Sequence, residues 1–224
     1  KYKNKIILIG SVKLLNKQLK ELGYRINFNI VNNISEAKRN IVNIINIDLD
    51  FNKSFKNISS ESNRYIKKSF NMALDILKKN KHNTILINGP ISKKTFLKKK
   101  YSGITEYLSM KTKSKGEVML IYNKNLSVSP LTTHTPIKYV TKNITKKKIL
   151  ENISKINKFY KQTLKKKCHI AVLGLNPHCE TTSKYSEEEK IIIPSLNILK
   201  KRGIKIKGPF SADTFFLNKN INKY

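Results

Sequence analysis

Glycine is scarce in this chain. Eight glycines occur among 224 residues and no two are separated by a single residue, so neither a G-x-G-x-x-G dinucleotide fingerprint nor a Walker-type phosphate loop can be built. The absence of a G-x-S-x-G elbow removes support for hydrolase chemistry of that kind. Cysteine is scarcer still. Cys168 and Cys179 are too far apart in sequence for a C-x-x-C pair, and nothing else suggests a disulfide scaffold, which points to a reducing compartment. No apolar run approaches the roughly 18 residues of a membrane span and no signal peptide is visible, so a cytoplasmic protein is expected, although the sequence opens on Lys1 rather than Met.

Acidic residues are few as well: 14 Asp and Glu stand against 46 Lys and Arg, a formal charge of +32. Gathered on one face, such a charge is the footprint of nucleic-acid or anionic-membrane binding. Here nearly all the basic residues are Lys, spread from Lys1 to Lys223 and accompanied by many Asn and Ile, whose codons are rich in A and T. Codon drift alone yields that composition. We read the excess as a solvated lysine coat and expect no nucleic-acid partner. Lysine triplets at 98–100, 146–148 and 165–167 fall at expected helix ends, where they solubilise and, at a C-terminal end, suit the helix dipole.

What the chain does have is enough apolar residue, 39% of 224, to bury a substantial core in one large domain or two lobes. Short apolar runs at 6–10, 26–31, 41–47 and 84–89 read as buried strands. Between them, Leu14, Leu15, Leu19 and Leu22, and then Tyr65, Ile66, Phe70, Met72, Ala73, Ile76 and Leu77, recur at helical spacing. Strands alternating with helices imply an α/β layer fold with active groups at strand ends. After Pro90 the pattern becomes a helix near 92–99, adjacent strands in "EVMLIY" and "LSVSPL", a lysine-rich helix near 145–166, the strand "HIAVLGL", a helix near 187–201 and the strand "IKIKG". The expected division is a first lobe over 1–90 and a second over 91–224.

Histidine occurs four times, and two of the four sit where strands run out. In "LTTHTPIKYV" Pro136 stops the strand and leaves His134 at its tip; in "GLNPHCE" the Asn-Pro step does the same for His178 and Glu180. Two imidazoles at two strand ends could converge on one metal ion, or each could merely cap a turn. His82, in a polar loop, and His169, beside Cys168 at a strand's start, are read as structural. Glu187, Glu188 and Glu189 suit the dipole of the helix they open. Asp213, in "GPFSADTFF", has no such excuse, although an Asp in a turn is common.

The stretches "INGPISKKTF", "SGITEYL", "LTTHTPIKYV", "VLGLNPHCE" and "EEEKIIIPSLNILKKRGIKIKGPFSADTFF", in this order and spacing, resemble the 4-hydroxythreonine-4-phosphate dehydrogenases of pyridoxal phosphate biosynthesis. The match covers roughly residues 84–217, with a fainter fit before it. The resemblance implies a two-lobed α/β/α fold similar to isocitrate and isopropylmalate dehydrogenases. It also implies a homodimer with active sites at the subunit interface, and NAD or NADP bound without the glycine-rich fingerprint. It assigns a divalent metal (zinc, magnesium or cobalt) to His134 and His178, places Asp213 in a family motif as the candidate catalytic group, and gives Thr105 to the small phosphorylated substrate. Ile104 stands where the family has a substrate-binding His. A third metal-binding His belongs to a family segment downstream of Tyr224.

Such a site oxidises a hydroxyl by hydride transfer to nicotinamide, and the ketone formed β to a carboxylate then loses CO2. The expected reaction is oxidation and decarboxylation of 4-phosphohydroxy-L-threonine. A sister enzyme for another phosphorylated hydroxy acid such as a phospho-threonate is the alternative, and a lysine-rich anion-binding protein using the fold as scaffold is the reading from another class.

Overall fold

The structure is a computed structural model of the chain and describes residues 4–80, 84–98, 100–114, 116–180, 185–217 and 224. It forms two compact units, Lys1–Thr112 and Lys113–Tyr224.

The first unit opens with β1 (Ile6–Gly10), α1 (Val12–Glu21), β2 (Phe28–Ile30) and β3 (Val42–Asn46). The three strands are parallel in the order β1-β3-β2, with Ile6 opposite Val42 and Gly10 opposite Asn46. The central β3 is buried on both faces, as its run of apolar residues requires. Its one polar member with no exposure, Asn43, is saturated: Nδ2 donates to the carbonyls of Ile6 (3.0 Å), Lys38 (2.9 Å) and Ile41 (3.2 Å), and Oδ1 accepts from Lys38 N (2.8 Å) and Asn29 Nδ2 (3.0 Å). A buried amide stays in a core only when its donors and acceptors are met in this way. Ser11 caps α1, its hydroxyl accepting from Leu14 N at 3.2 Å, and its own N–H donates to Tyr65 Oη at 3.0 Å.

Tyr65 lies on α2 (Asn63–Lys79), whose last turn carries Lys78 and Lys79 at the favourable end of the dipole. Phe70 of α2 packs with Leu97 and Tyr107, and the rings of Phe70, Phe96, Tyr101 and Tyr107 meet at centroid distances of 5.3–5.9 Å. Tyr107 belongs to α3 (Ile104–Thr112), a helix that the apolar spacing did not predict. Residues 91–112, expected in the second lobe, pack inside this first unit because Leu97 and Tyr107 bury their side chains against Phe70. The expected helix at 92–99 is a five-residue π turn, Lys93–Leu97. The expected strand at 84–89 has no strand partner among the described residues: Leu86 reaches the aromatic cluster, whereas Ile85 and Ile87 are 78% and 88% exposed. Residues 84–87 therefore alternate in exposure, as in a strand, with no neighbour among the described residues to complete the ladder.

The second unit contains α4 (Val140–Asn143), α5 (Lys146–Gln162), β4 (Ile170–Leu173), α6 (Ile193–Lys201) and β5 (Ile206–Phe210). The two strands expected at 117–131 are reduced to one antiparallel bridge, Ile121 with Val128. Thr145 caps α5, and the lysine triplet 146–148 fills its first turn, where only solvation accounts for it. Ile149 and Ile153 of α5 meet Ile192, Leu196 and Leu199 together with Ile204 and Ile206, and each such side chain fully buried contributes about 1.5–3 kcal/mol. The helix expected near 187 begins as a π turn, Glu188–Ile192, and becomes α6 at Ile193, next to Pro194, whose missing N–H and ring forbid the regular α bond to Lys190.

Strands β4 and β5 are parallel neighbours, with Ile170 opposite Ile206 and Leu173 opposite Phe210 across a bulge. Gly208 marks the closest approach: at φ 130°, a Cβ there would stand 2.3 Å from the carbonyl oxygen of Val172, so no other residue fits. Beyond the strands, Gly174 N donates to Phe210 O at 2.8 Å, tying together the two chain segments that leave this sheet edge.

Candidate functional site

Both segments carry residues singled out in the sequence. After β4 the chain runs Gly174, Leu175, Asn176 and into a single 3₁₀ turn, Pro177–Cys179. His178 and Cys179 adopt φ 56° and 62°, a left-handed conformation that costs a non-glycine residue energy unless its surroundings impose it. The turn is closed by Cys179 N donating to Asn176 O and Glu180 N donating to Pro177 O, both at 3.0 Å. After β5 the chain turns at Ser211 to Thr214, and Ser211 Oγ donates to Asp213 Oδ1.

His178 Nδ1 stands 3.3 Å from Asp213 Oδ2, with both side chains largely open to solvent. Because a carboxylate only accepts, a hydrogen bond across this contact needs the proton on Nδ1, and in the neutral ring that arrangement leaves the lone pair on Nε2. Asp213 titrates below the usual carboxylate range, chiefly because Ser211 donates to it; desolvation opposes this, and the nearby His178 and the backbone of Asp213 and Thr214 add to the lowering. The thiol of Cys179 is pushed up, chiefly by burial and then by the carboxylates of Glu188, Asp213 and Glu180, while its bond to Gly174 works the other way. An imidazole oriented by an ionised carboxylate can accept a proton at Nε2 or offer that lone pair to a cation.

The loop beneath this pair is held by Glu188. Its carboxylate is 1% exposed and accepts from Leu175 N (2.7 Å) and Asn176 N (2.8 Å) at Oε1, and from Asn176 Nδ2 (2.7 Å) and Ser186 Oγ (2.9 Å) at Oε2. Burial alone would raise its pKa, but the bonds from the Asn176 side chain and from the backbone of Asn176, Glu188 and Leu175 outweigh it and bring the carboxyl down to about 2. Glu187 adds one bond, accepting from Asn176 Nδ2 at 3.0 Å. Gly174 is enclosed by the same groups: a Cβ there would lie 2.5 Å from Cys179 Sγ and 3.0 Å from Glu188 Oε1. Glu188, expected to serve the helix dipole, is instead the anchor of the His178 loop.

His134 also adopts a left-handed conformation, φ 53°, on an exposed turn where Thr135 Oγ1 donates to Thr133 O at 3.2 Å. It does not join His178 and Asp213: among the described residues, no three His, Cys, Asp or Glu side chains gather as a metal site. His178 and Asp213 supply two donors, short of the three protein ligands usual at a catalytic zinc, so the described residues do not by themselves fit that ion. In the first unit, Thr105 lies half-buried in the first turn of α3, and Ile104, at its start, packs against the cluster of Phe70, Leu97 and Tyr107. His82 lies outside the described residues.

Known proteins resemble this chain in sequence and in shape. A 4-hydroxythreonine-4-phosphate dehydrogenase from a Sulfurihydrogenibium species is 34% identical over 217 residues, a match covering 94% of this chain and 66% of that one. A Clostridium botulinum relative, whose name gives D-threonate 4-phosphate as the compound dehydrogenated, is 28% identical over 221 residues, covering 94% of this chain and 65% of its own length. The chain thus spans about two thirds of the length of these relatives. The crystal structure of a 4-hydroxythreonine-4-phosphate dehydrogenase from Klebsiella pneumoniae superposes with a TM-score of 0.78 at 20% identity, over 97% of this chain and 68% of that one, so the expected α/β fold is the one present. Residues 2–224 match the family model described as pyridoxal phosphate biosynthetic protein PdxA, and the chain belongs to that family.

Proposed function

We propose that this protein catalyses the NAD- or NADP-dependent oxidation of 4-phosphohydroxy-L-threonine, followed by decarboxylation, in pyridoxal phosphate biosynthesis. The observation that carries the reading is the pairing of His178 with Asp213 at the carboxyl ends of two adjacent parallel strands, where an open α/β sheet presents its reactive groups. The carbon bearing the substrate hydroxyl loses a hydride to the nicotinamide while the hydroxyl proton passes to a base. The ketone so formed lies β to the carboxylate, and CO2 leaves with its bonding electrons held in the enolate. Asp213, ionised and hydrogen-bonded to Ser211, is the group we assign to take that proton.

Thr105 is assigned to the phosphorylated substrate. The divalent ion that resemblance gives to His134 and His178 would need a donor beyond the described residues. A homodimer with the site between subunits, and a cytoplasmic location, complete the reading. No described helix is long and apolar enough to cross a membrane.

A second reading, oxidation of phospho-D-threonate, is favoured by one observation: a relative at 28% identity is named for that compound. The test is reduction of NAD or NADP by the purified protein with each compound in turn, and release of CO2 with the first. Turnover of 4-phosphohydroxy-L-threonine that falls at least tenfold in Asp213→Asn supports the proposal. Turnover of phospho-D-threonate alone transfers the assignment to the second reading, and turnover of neither overturns both.

A further inference from the structure

Glu188 takes no part in the chemistry above, yet its surroundings are built with more care than those of an ordinary core residue. Four donors from three residues converge on its two oxygens, within 2.7–2.9 Å. A buried carboxylate is costly to place in a core, and this one is surrounded by Gly174, Leu175, Asn176 and Ser186, so its bonds go almost wholly to the loop leaving β4.

We propose that Glu188 is a positioning residue: by gripping Leu175 and Asn176 it fixes the loop that presents His178 Nδ1 to Asp213. Between the gripped Asn176 and His178 stands only Pro177, whose ring fixes its own φ, so little freedom intervenes between the anchor and the imidazole. His178 is held in a left-handed conformation that a free loop would leave. Glutamate is needed because every group facing its oxygens is a donor. A glutamine of the same shape keeps one acceptor for the two backbone N–H groups but turns an NH2 toward Asn176 Nδ2, which is itself tied to Glu187.

The inference rests on the reading that His178 serves the proposed reaction, and its test needs no turnover. The full chain, labelled with ¹⁵N, is compared as wild type, Glu188→Gln and Glu189→Gln, the last removing an exposed neighbouring charge. At about pH 8.5, above the usual imidazole range, ¹⁵N spectra report which ring nitrogen of His178 carries the proton. Wild type and Glu189→Gln are expected to show Nδ1–H. In Glu188→Gln the signal moves toward the Nε2–H form that an unconstrained histidine prefers. Amide exchange at Leu175 and Asn176 quickens tenfold or more, while α5 and α6 keep their protection.

Faster exchange with an unchanged His178 spectrum would overturn the proposal, leaving Glu188 a loop anchor only. Unchanged exchange, or protection lost throughout α5 and α6, would overturn it as well, the latter making Glu188 a folding residue. A wild type that shows the expected spectra but turns over no substrate counts against the proposed function alone.

Discussion

His178 and Asp213 meet at 3.3 Å, Nδ1 to Oδ2, although they are far apart in sequence and sit on loops that leave two different strands. What brings them together is the sheet edge: Leu173 pairs with Phe210, and Gly174 N then bonds Phe210 O. What keeps Asp213 ionised is first the hydroxyl of Ser211 and only then the imidazole. Ser211→Ala is therefore expected to move the Asp213 titration up toward the ordinary carboxylate range by more than His178→Gln does. Carboxyl ¹³C spectra across the acid range measure both midpoints, and a larger effect of His178→Gln would make the imidazole, not the hydroxyl, the main cause.

The acid limb of stability belongs in good part to Glu188. Its carboxyl titrates at about 2 in the folded protein, below its ordinary value of 4.5. A depressed folded pKa stabilises the fold above the unfolded pKa, and the contribution is lost as pH falls through the window from about 4.5 to about 2. The full effect is on the order of 3 kcal/mol. Urea unfolding followed from pH 6 down to about 2.5 should show a steep loss in wild type and a flatter one in Glu188→Gln. Parallel acid limbs would mean that other carboxylates carry the pH dependence.

The part of this site that the sequence made legible is the part written in single residues at strand ends. Pro136 and Pro177 stop regular structure, so His134 and His178 had to lie on turns, and "GPFSADTFF" had to place Asp213 just past a strand. The strands β1 and β3 and the helices α1, α2 and α5 were legible for the same reason, since apolar spacing decides which face is buried. Pairing was not legible. The run at 84–89 has the residues of a buried strand and no strand partner among the described residues, and β-structure depends on a neighbour that lies elsewhere in the chain. Helix α3 escaped because apolar and polar residues are scattered around "ITEYLSMKT" without a clear stripe. The role of Glu188 differs from the expected one although a signal existed. It lies four residues before Ile192 and eight before Leu196, on the stripe that faces the core, so a carboxylate there had to be buried and had to have partners.

Space is tightest at Gly174, and that yields a paired test. A methyl group added there would stand 2.5 Å from Cys179 Sγ and 3.0 Å from Glu188 Oε1, so Gly174→Ala is expected to cost about 1–3 kcal/mol through overpacking. Removing the sulfur relieves the worse contact, because Cys179 Cβ is at 3.5 Å and already in ordinary contact. Gly174→Ala combined with Cys179→Ala should therefore be less destabilised than the sum of the two single variants. Urea denaturation of the four proteins measures the coupling. Strict additivity would show that the loop yields instead.

In the first unit the corresponding stringent point is Asn43. Its Nδ2 faces three carbonyl oxygens, of Ile6, Lys38 and Ile41, so Asn43→Asp keeps the shape and turns every one of those contacts repulsive. An uncompensated buried charge costs about 3 kcal/mol or more, a large share of a domain's usual margin of about 5–15 kcal/mol. The introduced carboxyl is pushed up in the fold, and a raised carboxylate pKa means that the penalty shrinks as pH falls and the group protonates. Thermal melts at neutral and mildly acidic pH should show the variant recovering stability relative to wild type on the acid side. A variant as stable as wild type at neutral pH would mean that Asn43 is not the hub of this sheet.

Ile104 sets packing against binding. In this chain it closes the cluster of Phe70, Leu97 and Tyr107 from the start of α3, next to Thr105. A histidine there, the residue the family resemblance places at this position, would lose that apolar burial and bring a ring whose polar nitrogens need partners, at a cost of about 1–3 kcal/mol. The same ring would offer a donor to a phosphorylated, carboxylate-bearing substrate, and a charge-assisted hydrogen bond is worth about 1.5–3 kcal/mol. Ile104→His is thus expected to lower the melting temperature of the free protein while tightening the binding of 4-phosphohydroxy-L-threonine by roughly tenfold to a hundredfold. Melting followed by calorimetric titration reads both quantities on one preparation. Lower stability with no gain in affinity would show that position 104 serves the core alone and that the substrate's anionic groups are met elsewhere.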